Sequence, residues 1–313
     1  MGAASLSSRA IIGEFYASLE QDLGQSWIAG TSNLFDSNQE SETYKWLGMA
    51  PAMREWVGSR HAKGFRDNGL TIVNKTYEGT LEVLVDEIRR DKTGQVMVRV
   101  RELAQRTNAH WAKLLSELLI AAESAVCYDG QYFFDTDHSE GDSGSQSNDI
   151  SVDITTTTAP TGGEMETGIL KTIETILGFK DDQGEPMNEN ARAFTVMVPV
   201  PFMSAAAAAI GSEIIIDSST SRTNRIMTMG QLGGFRIDLA VNARLTWTTK
   251  FATFRTDCET KSLIRQEEEG VTVDAIAEGS ELEFNERKHR YGVKAIRNVG
   301  YGFWQRACLA TFT

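Results

Sequence analysis

The stretch Tyr44-Lys-Trp-Leu-Gly-Met-Ala-Pro-Ala-Met-Arg-Glu-Trp-Val-Gly-Ser-Arg60 concentrates aromatic, methionine and arginine side chains in a polar setting. A second dense stretch, Asp129-Gly-Gln-Tyr-Phe-Phe-Asp-Thr-Asp-His138, follows further along the chain. Neither has the spacing of a catalytic or cofactor motif. Because aromatic residues, Met and Arg are enriched at contacts between chains, the first stretch favours a protein that assembles with other chains. It is equally consistent with a core within its own chain.

Length and charge narrow the class of protein. The chain has 313 residues, 41% of them hydrophobic and 24% charged, which is typical of globular proteins and enough for two lobes. Its formal net charge of -12 argues against tight nucleic-acid binding, which requires clustered Lys and Arg. A shell that encloses nucleic acid without binding it tightly would tolerate this negative charge.

Targeting signals and cysteine pairs are not evident. No stretch approaches the ~20 apolar residues of a membrane span, and the N-terminus lacks the order of a signal peptide. We therefore expect no membrane partner and folding in a cytoplasm. Cys127, Cys258 and Cys308 are widely separated, which predicts buried, reduced thiols.

The first half of the chain changes its apolar spacing twice. A short amphipathic helix is predicted from Ala10 to Leu23. Residues 57–97 have the pattern of strands and turns with too few apolar positions for a core of their own, so this ribbon should lie on another part of the chain or on another subunit. From Val98 to about Ser124 the spacing is helical, which predicts one long helix. Deleting about residues 62–90 should therefore leave a foldable monomer that no longer assembles.

The second half has an α+β pattern after a polar loop at 138–158. A helix is predicted at 164–177 and a strand at 194–198, from which Pro199-Val-Pro201 leads into an alanine-rich helix. Further extended segments are predicted at 235–241, 245–254, 282–285, 291–296 and 302–309.

Two short motifs resemble sites of chemistry. Gly141-Asp-Ser-Gly144 copies the nucleophile signature of chymotrypsin-like proteases but lies in a serine-rich loop. Asp135, Asp137 and His138 could begin a divalent-metal site, so a metal-dependent hydrolase is an alternative function. Because the other histidines are isolated, we interpret these side chains as capping a turn, and we expect no catalytic residue, metal or cofactor.

Several segments together resemble a known family. Tyr44-Lys-Trp-Leu-Gly48 with Pro51-Ala-Met-Arg-Glu-Trp56, the run from Asp129 to His138, and the Pro-x-Pro passage at 199–210 are similar to the Mu-like prophage major head subunit family. The similarity continues to Gly300-Tyr-Gly-Phe303. A proline commonly follows the Asp-Thr-Asp-His run in that family, whereas this chain has Ser139.

The resemblance implies the tailed-phage and herpesvirus capsid fold, also called Hong Kong 97-like. It divides the chain into an N-terminal arm (1–43), a peripheral lobe with a long spine helix (44–56 and 98–159), an extended loop (57–97), an axial lobe (160–255) and a return to the peripheral lobe (256–313). The contacts predicted between subunits are Trp46, Met49, Met53, Arg54, Trp56, Leu70, Ile72 and Tyr77.

The resemblance also implies a function. Copies of the chain, as hexamers and pentamers, would close an icosahedral shell around double-stranded DNA without binding it specifically. Scaffold protein, head protease, portal and decoration proteins would be separate chains, and the shell would be assembled in the host bacterial cytoplasm and end in the virion. An encapsulin-type compartment shell is the alternative within the same fold.

Overall fold

Two larger β-sheets organise the described part of this computed structural model, which comprises residues 7–21, 26–45, 69–91, 94–217 and 220–313. The helices there are α1 (Ser8–Leu19), α2 (Trp27–Thr31), α3 (Val85–Arg90), α4 (Gln95–Asn108), α5 (His110–Ile120), α6 (Gly162–Gly178), α7 (Met203–Gly211), α8 (Arg225–Gly233) and α9 (Glu281–Glu286). The strands there are β1 (Ser32–Asp36), β2 (Ser41–Tyr44), β3 (Leu70–Val73), β4 (Lys75–Leu84), β5 (Asp149–Val152), β6 (Ala193–Val198), β7 (Ile214–Asp217), β8 (Thr220–Thr223), β9 (Arg236–Val241), β10 (Lys250–Arg255), β11 (Leu263–Ile276), β12 (Lys288–Tyr301) and β13 (Ala307–Phe312).

The first sheet has the order β1-β11-β12-β4 and joins distant parts of the chain. β1 runs parallel to β11, and β12 is antiparallel to both β11 and β4. Helices α1 and α4 pack together beside this sheet. The buried residues of that region are Ile11, Phe15, Val83, Ile88, Val96, Val100, Ala104, Tyr291 and Val293. Residues of the predicted N-terminal arm (1–43) and of the predicted ribbon (57–97) thus pack in one core of the same chain.

The ribbon predicted at 57–97 is therefore not separable from the body in its described part. β4 pairs with β12 along its whole length, from Lys75 to Leu84, and Val83 is only 1% exposed. Deleting residues 62–90 would remove this strand and α3 and uncover the β12 edge. We therefore no longer expect a foldable monomer after that deletion, because β4 is part of the sheet.

The second sheet has the order β5-β13-β10-β6-β9. Its inner strands β6, β10 and β13 are buried on both faces, which explains why β6 and β13 are almost continuously apolar. Helix α6 packs on β10 and β13 and begins with a capping box formed by Thr161 and Glu164. β13 pairs with β5 of the first half within this sheet, whereas β11 and β12 of the last segment belong to the first sheet.

The predicted long helix at 98–124 is divided in two. Ala109, with ψ near -1°, interrupts the helix between α4 and α5. The side chain of Asn108 donates hydrogen bonds to the carbonyl oxygens of Leu19 and Gln21, at 3.0 and 2.9 Å. These bonds hold the junction between α4 and α5 beside the C-terminal end of α1.

Two extended or loop predictions are corrected. Residues 282–285 lie in helix α9, because Ser280 caps it by accepting from the backbone N–H of Glu283. The polar segment 138–158 is not simply an exposed loop, since β5 pairs in parallel with β13 and Asn148 is fully buried. The four residues of β5 are too short a pattern to predict this pairing from the sequence.

Strands β2 and β3, which lie on either side of residues 46–68 in the sequence, form a small hairpin. β2 and β3 pair antiparallel, with Tyr44 opposite Leu70. Gln266 on β11 ties this hairpin down, since its side chain accepts from the Tyr44 hydroxyl at 2.8 Å and donates to the Ile72 carbonyl oxygen at 3.2 Å. Residues 45 and 69 are therefore neighbours across the hairpin.

Candidate functional site

The residues predicted to contact other subunits fall into two groups. Outside the described residues lie Trp46, Met49, Met53, Arg54 and Trp56. Of the three described residues, Ile72 is buried in the core of its own chain and Leu70 is half-buried against the same core. Tyr77 is half-buried in β4. An intersubunit role for these eight residues stays a prediction.

Tyr77 borders a cavity of about 320 Å³ between β4, β12 and the helices α4 and α5. Its ring meets the ring of His110 edge-on, with 4.4 Å between centroids. Burial, together with the charges of Arg297, Lys113 and Arg244, lowers the pKa of His110 to about 4. His110 is therefore neutral at pH 7 and packs as an uncharged ring against Tyr77.

The most exposed large apolar side chains of the described surface lie on β7, α8 and α9. Ile214 and Ile216 on β7 are 60% and 74% exposed, and Leu232 on the nearby helix α8 is 85% exposed. Phe284 on α9, at the end of the β11–β12 hairpin, is 89% exposed. Exposed apolar clusters are typical of contacts with other chains. Exposure of Phe284 was not predicted from the sequence. The surrounding Glu281, Glu283 and Glu286 nevertheless leave no apolar helical face for this side chain to join.

The stretch from 127 to 138 forms a buried polar cluster. The carboxylate of Asp129 lies 2.7 Å from Nδ1 of His138, and its other oxygen accepts from the Cys127 thiol at 2.9 Å. The His138 ring is fully buried and stacks on Trp304 with 4.0 Å between centroids. Burial and the charge of Asp129 raise the pKa of the Cys127 thiol well above its ordinary value. The thiol is therefore protonated at pH 7.

Asn148 fixes the hydrogen on the far side of the imidazole. Its amide nitrogen donates to the carbonyl oxygens of Phe133, at 2.8 Å, and Trp304, at 3.4 Å. Its amide oxygen therefore faces Nε2 of His138, at 3.2 Å, which must carry a hydrogen to donate. Burial acts to raise the pKa of Asp129, but hydrogen bonds from His138 and Cys127 outweigh it and lower the pKa. The carboxylate of Asp129 and Nδ1 of His138, 2.7 Å apart, thus form a buried hydrogen bond.

The two chemical motifs of the sequence have local structural roles. The carboxylate of Asp135 accepts from the backbone N–H groups of Thr136, at 2.7 Å, and Tyr132, at 3.2 Å, whereas Asp137 is exposed. The Ser143 hydroxyl donates to the Gly144 carbonyl oxygen at 2.9 Å. The structure therefore brings His138 to Cys127 and Asp129 and not to the two aspartates of its own motif. Sequence analysis missed Cys127, Asp129, Asn148 and Trp304, of which only the first two are close in sequence.

The arrangement of the two sheets and their helices is the fold of tailed-phage capsid proteins. The procapsid protein of bacteriophage JBD30 matches with a TM-score of 0.53 and 23% identity over 96% of this chain and 72% of that chain. The mature capsid of bacteriophage PhiM1 matches with a TM-score of 0.55 and 10% identity over 91% and 86%. The SrpI encapsulin of Synechococcus elongatus also matches, with a TM-score of 0.50 and 8% identity over 99% and 91%.

Within that class, the family model described as Mu-like prophage major head subunit gpT matches residues 12–160 and 243–311, and the chain belongs to this family. The family is one of structural head subunits. The Mu-like prophage FluMu major head subunit of Haemophilus influenzae is 37% identical over 105 residues, and the major capsid protein of Escherichia phage Mu is 36% identical over 103 residues. The matched stretches span 34% of each relative's length. Among the described residues, no helix is long and apolar enough to cross a membrane.

Proposed function

We propose that this chain is the major capsid subunit of a Mu-like tailed phage or prophage, and that its copies close an icosahedral shell around double-stranded DNA. The observation that carries the proposal is the family match at residues 12–160 and 243–311 on a chain with the capsid fold. The shell would be built from hexamers and pentamers of this one chain. It would be assembled in the host cytoplasm and become part of the virion.

The surface of the single chain supports repeated weak contacts. Ile216, Leu232 and Phe284 are exposed on different elements, as heterologous contacts in a closed shell require. Each contact can be modest, because a subunit held at several points gains from their sum. Packing of this kind needs no catalytic group.

The negative charge of the chain supports a shell that encloses DNA without binding it tightly. Because the chain has a formal net charge of -12, it would not bind the DNA phosphates tightly. Packaged DNA could therefore slide along the inner wall of the shell. Scaffold protein, head protease, portal and decoration proteins are the separate partners proposed for assembly. An encapsulin-type shell remains the second candidate on fold alone, and the head-subunit family favours the phage capsid.

Replacing a segment tests assembly apart from folding. Because Tyr44 lies opposite Leu70, an Asn-Gly turn between residues 45 and 69 can replace residues 46–68 without straining the hairpin. We expect the variant to fold as a monomer with a circular dichroism spectrum close to that of the full chain. We expect the full chain, expressed with its neighbouring genes, to form shells in negative-stain electron microscopy and the variant to form none.

A length-matched variant separates the side chains from the length of the segment. It keeps residues 46–68 but carries serine in place of Trp46, Met49, Met53 and Trp56, and we expect it to fold and fail to assemble. Shells of normal number and size from both variants would overturn the role proposed for this segment. A full chain that stays monomeric with its neighbouring genes would overturn the proposed function itself.

A further inference from the structure

Three different metal-ligand types converge in the buried polar cluster. The Cys127 sulfur, a carboxylate oxygen of Asp129 and a ring nitrogen of His138 all lie within 4.8 Å of one another. The group is sealed from solvent, since Cys127 is 5% exposed, His138 is fully buried and the Asp129 side chain is 2% exposed. Thiolate, imidazole and carboxylate together are ligands typical of zinc.

The imidazole is already oriented for a metal. Asn148 engages Nε2 of His138, and its own amide is fixed by the carbonyl oxygens of Phe133 and Trp304. Nδ1 is thereby directed at Asp129 and Cys127. Histidines that bind metals usually donate their second ring N–H to a neighbouring polar group in this way, because that bond sets the tautomer and the ring orientation.

We propose that Cys127, Asp129 and His138 bind one zinc ion through Sγ, a carboxylate oxygen and Nδ1. Binding releases the thiol proton to solvent, and the imidazole binds through an unprotonated Nδ1. The occupied cluster, with Zn²⁺, one thiolate and one carboxylate, carries no net charge.

The metal-bound form differs slightly from the hydrogen-bonded form. Tetrahedral zinc sites place nitrogen and oxygen ligands roughly 3.3 Å apart and sulfur and oxygen ligands roughly 3.6 Å apart, as the metal–ligand lengths require. The present separations are 2.7 Å for His138 and Asp129 and 2.9 Å for Cys127 and Asp129. The carboxylate must therefore move outward by a fraction of an ångström to admit the ion.

The role of this zinc would be structural. No substrate can approach a cluster whose three side chains are buried, so the site differs from a hydrolase centre built on Asp135 and Asp137. Bound zinc would clamp residues 127–138 beside Trp304, against which the His138 ring stacks. It would join a loop of the first half to the segment that leads into β13.

The test uses the full chain, expressed in zinc-supplemented medium and, separately, in cobalt-supplemented medium. Mass spectrometry of the purified protein is expected to give about one zinc per chain after removal of loosely bound metal. The cobalt protein is expected to show the thiolate-to-cobalt charge-transfer band in the near ultraviolet together with strong visible d–d bands of tetrahedral cobalt. That band arises only when a cysteine sulfur binds the metal.

Two serine variants make matched controls. Cys127→Ser keeps a hydroxyl donor for Asp129, so it should fold, and it is expected to lose the charge-transfer band and most of the zinc. Cys258→Ser lies outside the cluster and is expected to keep both. Zinc content that is near zero in the full chain, or equal in the Cys127→Ser variant and the full chain, would overturn the proposal. The cluster would then be a hydrogen-bonded support and nothing more.

Discussion

At Gly300 the missing side chain lets β12 pass close to Ile72 on β3. A Cβ at this position would overlap Cδ1 and Cγ1 of Ile72. Because both strands are fixed in their sheets, we expect Gly300→Ala to destabilise the fold by about 1–3 kcal/mol, as overpacked cores do. Urea unfolding of the full chain measures this change.

The same contact predicts a rescue. Ile72→Ala removes the atoms that the new methyl group would meet, so the double variant should be less destabilised than the sum of the two single variants. Strictly additive free energies of unfolding would show that the strain at Gly300 comes from another neighbour.

His138 is the second residue whose removal should be costly. His138→Gln removes the ring N–H that faces the buried carboxylate of Asp129 and the ring that stacks on Trp304, so we expect a loss of about 1–3 kcal/mol in free energy of unfolding. The measurement is made in the presence of a chelator, so that bound metal does not contribute. Asp137→Asn, one residue away and exposed, is the control and should change stability by no more than ~0.5 kcal/mol. Equal effects of the two substitutions would contradict a stabilising contact between His138 and Asp129.

Among the elements, α6 is tied to the β7–β8 hairpin and α8 by one buried carboxylate. Glu166 on α6 forms ion pairs with Arg222 on β8 and Arg225 on α8. Burial acts to raise its pKa, but hydrogen bonds from these two arginines outweigh it and lower the pKa. The unfolded chain therefore binds this proton at a higher pH than the folded chain. The stabilisation from Glu166 is complete above pH ~4.3 and is lost as pH falls through the lowered pKa.

Glu166→Gln should remove that part of the acid sensitivity. We expect the variant to be less stable than the full chain at pH 7 and the difference to shrink below pH ~4, as measured by thermal unfolding across pH 3–7. Glu164→Gln alters the exposed capping box on the same helix and serves as a comparison. A difference between the full chain and Glu166→Gln that is constant over this range would contradict the assignment.

The sequence predicts elements that have strong apolar periods and misses those whose partners are distant. α6, β6, the alanine-rich α7 and β9 lie close to their predicted positions, because their own spacing and caps specify them. β5 was missed because its partner β13 is contributed by the other end of the chain. The cluster at His138 was missed for the same reason, since Asn148 and Trp304 reach it only through the fold.

At the scale of the whole molecule, the exposed aromatic ring of Phe284 should matter for the shell and not for the monomer. We expect Phe284→Ser to change stability by no more than ~0.5 kcal/mol, because the side chain is 89% exposed. We expect it to reduce the yield of shells, measured by sedimentation and electron microscopy. Phe284→Leu keeps an apolar side chain and should assemble better than the serine variant. Full assembly of Phe284→Ser would exclude a contact at this position.

The pairing of β1 with β11 and of β5 with β13 has a consequence during synthesis. Ser32 pairs with Leu263, and Asp149 pairs with Leu309. Each sheet therefore contains an early strand whose partner is translated much later. A nascent chain on the ribosome therefore has neither sheet complete until β11, β12 and β13 have been translated. We expect this delay to keep unfinished chains on one polysome from joining each other, so that only released subunits enter a growing lattice.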